Sequence, residues 1–118
     1  MKKIFLITAI TVVTIASCTK DKGDLAINPY LNCDTIHFSQ TVAPIISQFC
    51  STTPGCHVPS GVGPDYTTYA GLKIKLDAGV FQNRIFNLRD MPQTPNPPLA
   101  DSTLQKLQCW VNQGYPNN

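Results

Sequence analysis

The sequence predicts an all-α protein with one small folded domain, and three observations carry that reading. Four stretches place apolar residues at helical spacing: Val42, Ile45, Ile46 and Phe49; Tyr69, Leu72 and Leu76; Phe81, Ile85 and Leu88; Leu104, Leu107 and Val111. No stretch alternates apolar and polar residues with period two for long, and there is no internal repeat. Four of the ten prolines, Pro92, Pro95, Pro97 and Pro98, crowd a segment that can form neither regular helix nor central strand.

Taken in order, Ser39 or Thr41 can cap the first helix, with Pro44 in its first turn where the missing N–H costs little. This helix delivers Cys50 at its C-terminal end. The run Val58 to Pro64 is rich in Gly and Pro and must be irregular. Asp65 can cap a second helix through about Leu76, and Asp77-Ala78-Gly79 breaks it. Val80 to Leu88 predicts a short third helix, and Arg89 to Pro98 a loop. Asp101 or Ser102 then caps a last helix with Trp110 beside its apolar stripe, stopped by Gly114. The connections are long and poor in apolar residues, so four short helices call for something flat and apolar as the core they pack against.

The N-terminus carries an address. Lys2 and Lys3 precede an uncharged apolar run, Ile4 to Ala16, too short to span a bilayer comfortably and of the length of a signal h-region. It ends in Ile15-Ala16-Ser17-Cys18, which resembles the lipobox of bacterial lipoproteins. That resemblance implies cleavage after Ser17 and a lipid anchor on Cys18, attaching the protein to a membrane without spanning it. An ordinary secretory signal is the alternative. Residues 1–17 are thus read as signal peptide, 18–32 as lipidated cysteine and polar tether, and 33–118 as the domain.

The chain carries a formal charge of +2. Losing Lys2 and Lys3 leaves seven cations against seven Asp, with no Glu. There is no basic block, which gives nucleic-acid binding no support. The aspartates fall mostly at caps and turns and form no paired-carboxylate site. No Ser/His/Asp set, phosphate loop or dinucleotide fingerprint occurs, so the chain is not expected to be an enzyme and no small-molecule substrate is evident.

The chemistry-bearing segment is Cys50-Ser51-Thr52-Thr53-Pro54-Gly55-Cys56-His57. Two thiols on one loop with an imidazole directly after the second is what covalent haem attachment needs, although the usual spacing is C-x-x-C-H. Pro54-Gly55 favours a turn that lets the longer loop bulge. A loop disulfide between Cys50 and Cys56 is the plain structural alternative. Zinc is disfavoured, since His37 is the only other histidine and reads as a surface or capping residue. Met91, the only methionine beyond Met1, is a gap-filling core residue or a ligand. Arg84 and Arg89, just before Met91, are either solvated or partners for the propionates of a haem; Tyr66, Tyr69 and Phe86 read as core. Cys33 and Cys109, near the two ends of the domain, would be tied together by a disulfide of the export compartment, one of three pairings open to four cysteines.

Val42-Ala43-Pro44-Ile45-Ile46, the Cys50–His57 loop, Tyr69, Met91-Pro92 and Trp110-Val111-Asn112-Gln113-Gly114 together resemble the class I-like cytochrome c domains of bacterial exported lipoproteins, especially those of Bacteroidetes. The resemblance implies about four short helices with long loops wrapped around one covalent haem c. Cys50 and Cys56 would be its thioether anchors, His57 and Met91 its axial iron ligands, and Trp110 would pack nearby. It implies single-electron transfer with redox protein partners of the cell envelope. The rival expectation is a haem-free, disulfide-stapled lipoprotein acting as a binding or accessory module. A third is a sensor or enzyme in which Met91 leaves an iron position open.

Overall fold

A computed structural model describes Leu25 and residues 28–118. The expected signal peptide, the lipidated Cys18 and most of the tether lie outside the described residues. The described residues are helical, with no strand.

A 3₁₀ turn at Cys33–Thr35 opens the domain, closed at its start by the Asn32 side chain, which accepts from the Asp34 N–H. The first helix begins as a π-helical turn, Phe38–Val42, and continues as α1, Ala43–Phe49, with Pro44 in its first turn as predicted. Neither Ser39 nor Thr41 caps it. His37 is the capping position, and its own side chain makes no cap bond to the helix. The donors are met from the far end of the chain: Asn118 Oδ1 accepts from the Phe38 N–H and its backbone oxygen from the Ser39 N–H, both at 2.8 Å. Orphan donors at a helix start must find an acceptor somewhere, and here tertiary structure supplies it.

The second helix, α2, spans Tyr69–Asp77, starting later than Asp65 predicts. Asp65 instead closes a turn, accepting from both the N–H and the hydroxyl of Thr67. Thr68 is the cap, its side chain accepting from the Gly71 N–H at 3.1 Å. The loop crosses the first turn so tightly that a Cβ on Gly71 would lie 1.7 Å from the Asp65 carbonyl oxygen. Gly79, in the left-handed conformation at φ 69°, separates α2 from α3, Val80–Gln82. That helix widens into a π-helical turn, Asn83–Asn87. The wider turn rotates Leu88 off the stripe that buries Phe81 and Ile85, leaving it 47% exposed. The Pro-rich segment is irregular, as predicted.

The last helix, α4, is Asp101–Asn112. Ala100 stands at its capping position, so Asp101 acts not as a cap but as a first-turn anion against the positive helix end. Gly114, at φ 82°, ends the helix, and the Tyr115 N–H closes back on the Trp110 carbonyl.

Trp110 lies fully buried in the core. Its indole stacks on Phe38, with Tyr115 edge-on, and Nε1 donates to the Pro116 carbonyl at 2.9 Å. Val42, Ile46, Leu72, Leu76, Leu104 and Leu107 join the same buried cluster. Cys33 and Cys109 form the expected disulfide, with α-carbons 5.2 Å apart, pinning the opening turn to α4. The expectation that the helices need a flat cofactor as their core is therefore corrected. The aromatic and aliphatic side chains close a core among themselves, and the disulfide reinforces it.

Candidate functional site

Cys50 ends α1, its N–H bonded to the Ile46 carbonyl at 2.8 Å. The chain then bulges and returns, so that the His57 N–H donates to the Cys50 carbonyl at 3.0 Å and Ser51 Oγ to the His57 carbonyl at 3.0 Å. A turn across Thr53 to Cys56 forms the crest. The following Gly/Pro segment folds back against this loop, with the Val62 N–H bonded to the Cys56 carbonyl. Only glycine fits at position 61, where a Cβ would stand 2.1 Å from that same carbonyl oxygen.

The loop forms one wall of a cavity of about 610 Å³, open to solvent. Cys50, Cys56, His57 and Met91 all line it, although Met91 is separated from them in sequence by the whole of α2 and α3. The remaining wall is largely apolar, from Phe49, Tyr66, Phe81, Ile85 and the Pro92–Pro95 segment. Two valines stay exposed at the lining, Val62 at 57% and Val80 at 40%. Among the described residues, Lys75 and Arg84 are the cations of the lining, and no acidic side chain is part of it. Arg84 is already engaged by Asp90 at 2.6 Å, and Arg89 approaches Asp101 at 4.0 Å. Trp110 is not among the lining residues.

The two thiols meet opposite environments. Burial pushes Cys50 up to about 12, with the neighbouring Cys56 adding to the effect. Cys56 is pulled down to about 7 by the hydroxyls of Thr53 and Thr52, whose Oγ1 atoms lie 3.3 and 3.5 Å from its sulfur. Both cysteines are free, so the loop disulfide open to them in the sequence is not formed. The His57 ring lies flat against Tyr66, and its Nδ1 is buried with no hydrogen-bond partner among the described residues. Burial holds the imidazole below its ordinary pKa; the backbone of Pro64 and Val62 opposes that shift, though neither bonds Nδ1 in normal geometry. Burial likewise pushes the Tyr66 phenol up to about 12.

The expected covalent haem c is corrected by the donor arrangement. Among the described residues, no group of three or more His, Cys, Asp or Glu gathers to hold a metal ion. Cys33 and Cys109 are consumed by their disulfide, and His37 is bonded through Nδ1 to Asn118 on another part of the surface. His57 and Met91 stand as cavity-lining side chains. Sequence reasoning missed Thr52 and Thr53 as partners of the Cys56 sulfur, although their spacing four and three residues ahead of it within one turn was a usable signal. It also assigned Tyr66 to the core, where the ring does belong, while its face forms part of the cavity. No family model, curated protein or solved structure matches this chain.

Proposed function

We propose that this chain is a haem-free, disulfide-stapled lipoprotein of the cell envelope that acts as a binding or accessory module, taking a small, largely apolar ligand in the cavity behind the Cys50–His57 loop. The observation that carries this reading is the cavity itself. Its volume of about 610 Å³ falls within the range of small-molecule sites, about 300–1,000 Å³. Exposed valines beside an apolar wall supply the burial that drives such binding. Lys75 favours a ligand with an anionic end, while Arg84 is already paired with Asp90. The Cys33–Cys109 staple lets a small domain keep a cavity of this size open without losing its fold. The lipobox-like Ile15-Ala16-Ser17-Cys18 supports anchoring to the membrane.

Native mass spectrometry of the full chain extracted from its own envelope tests the reading. The expected result is a non-covalent adduct of small-molecule mass that leaves on denaturation. Val80→Trp, a substitution at a partly exposed position, fills the cavity and removes that adduct while the melting curve is retained. An identical adduct in both proteins, or none in the natural one, would refute the assignment.

A further inference from the structure

The Cys50–His57 loop holds a pair of free thiols on one cavity wall that ligand binding does not require. We propose that Cys56 and Cys50 form a dithiol that reduces an organic disulfide seated in the cavity, Cys56 attacking first and Cys50 resolving. The proposal goes beyond ligand binding and needs the cavity only as the place where the group next to the substrate disulfide docks.

Three geometric features assign the roles. Cys56 follows the loop crest, and the hydroxyls of Thr53 and Thr52 stand 3.3 and 3.5 Å from its sulfur, placed to donate to a thiolate there. Cys50 sits at the C-terminal end of α1, where the helix disfavours negative charge, so it is poorly suited to be the first nucleophile. The His57 N–H bond to the Cys50 carbonyl joins the loop ends directly beside the two cysteines. With one peptide's reach on either side of that bond, their α-carbons are no more than about 8 Å apart. A disulfide needs about 4.4–6.8 Å, so at most a small tightening of the loop closes the pair.

The chemistry balances with the substrate disulfide as the only oxidant. The Cys56 thiolate forms a bond to one substrate sulfur, and the substrate S–S bond breaks. The leaving thiolate takes the electron pair and a proton from solvent. Cys50 then gives up its proton and attacks Cys56 Sγ, forming the Cys50–Cys56 disulfide and expelling the second substrate thiol. Two electrons pass from the protein dithiol to the substrate, one disulfide per reduced chain.

The test uses the full chain and one equivalent of 2,2′-dithiodipyridine, following released thiopyridone by absorbance and the protein by intact mass and peptide mapping. The natural chain is expected to release two thiopyridones and to carry no adduct, with Cys50 and Cys56 joined. Cys50→Ser is expected to release one and to retain a pyridyl adduct on Cys56. Cys56→Ser is expected to react at least about tenfold more slowly. Adducts that persist on Cys50 or Cys56 of the natural chain, or a Cys56→Ser chain whose Cys50 reacts at the natural rate, would overturn the proposal. Circular dichroism of both variants confirms that the fold is intact in each comparison.

Discussion

The ring of His57 lies on that of Tyr66, with centroids 4.0 Å apart and planes 13° from parallel. The stack holds the imidazole against the cavity wall and keeps its Nδ1 away from water. A group held this way is easier to keep neutral than to charge.

That has a consequence with a definite sign. Burial lowers the folded-state pKa of His57 below its ordinary 6.5, so the unfolded chain binds the extra proton first as pH falls. Stability is expected to be full above about pH 6.5 and to decline as pH drops from there towards the folded pKa. His57→Gln should flatten this decline. An NMR titration of the His57 ring proton with its midpoint at or above 6.5 would disprove the account.

Alkylation should separate the two thiols of the loop. With Cys56 near 7, its reaction with iodoacetamide is expected to accelerate through neutral pH, while Cys50, near 12, stays silent. Thr53→Val removes the larger of the two hydroxyl contributions and should move the Cys56 midpoint upward. A midpoint unchanged by that substitution would mean that something else stabilises the thiolate.

Removing the staple should be expensive. The disulfide closes a sequence separation of 76 residues, and the chain-entropy relation gives about 4.5 kcal/mol for a loop of that length. The double variant Cys33→Ser/Cys109→Ala is expected to lose about that much in urea unfolding. An unchanged midpoint would show that the core around Trp110 suffices alone.

Gly61→Ala should disorganise the loop. The added Cβ would meet the Cys56 carbonyl at 2.1 Å, a backbone contact that cannot yield by side-chain rotation. A cost of about 2 kcal/mol or more is expected, together with loss of the difference in reactivity between Cys56 and Cys50. A variant with natural stability and natural alkylation kinetics would refute the tight approach.

The helices were legible in the sequence because their apolar residues recur at helical spacing. Ile46, Leu72, Ile85 and Leu107 all point where that periodicity sends them. Their starts were less legible. Asp65, Thr67 and Thr68 are all capping types in one short run, and the choice among them depends on how the loop passes over Gly71. For α1 the acceptor comes from Asn118, 80 residues away, which no local pattern announces. That Cys50, Cys56, His57 and Met91 line one cavity was not legible from the residues alone, since Met91 was put beside the loop only by the resemblance to cytochrome c domains. Nor was the self-sufficient core, because Phe38, Trp110 and Tyr115 come from segments that look sparse when read one at a time.

The bond between Cys33 and Cys109 also decides how the domain bears load. Tension applied to the chain ahead of Cys33 and behind Cys109 passes straight across the sulfur bridge. The enclosed stretch, with the whole cavity inside it, is bypassed like a slack loop in a knotted rope. A pull along the chain can therefore strip Asn118 from the first helix and leave the wall of Cys50, Cys56 and His57 mechanically undisturbed.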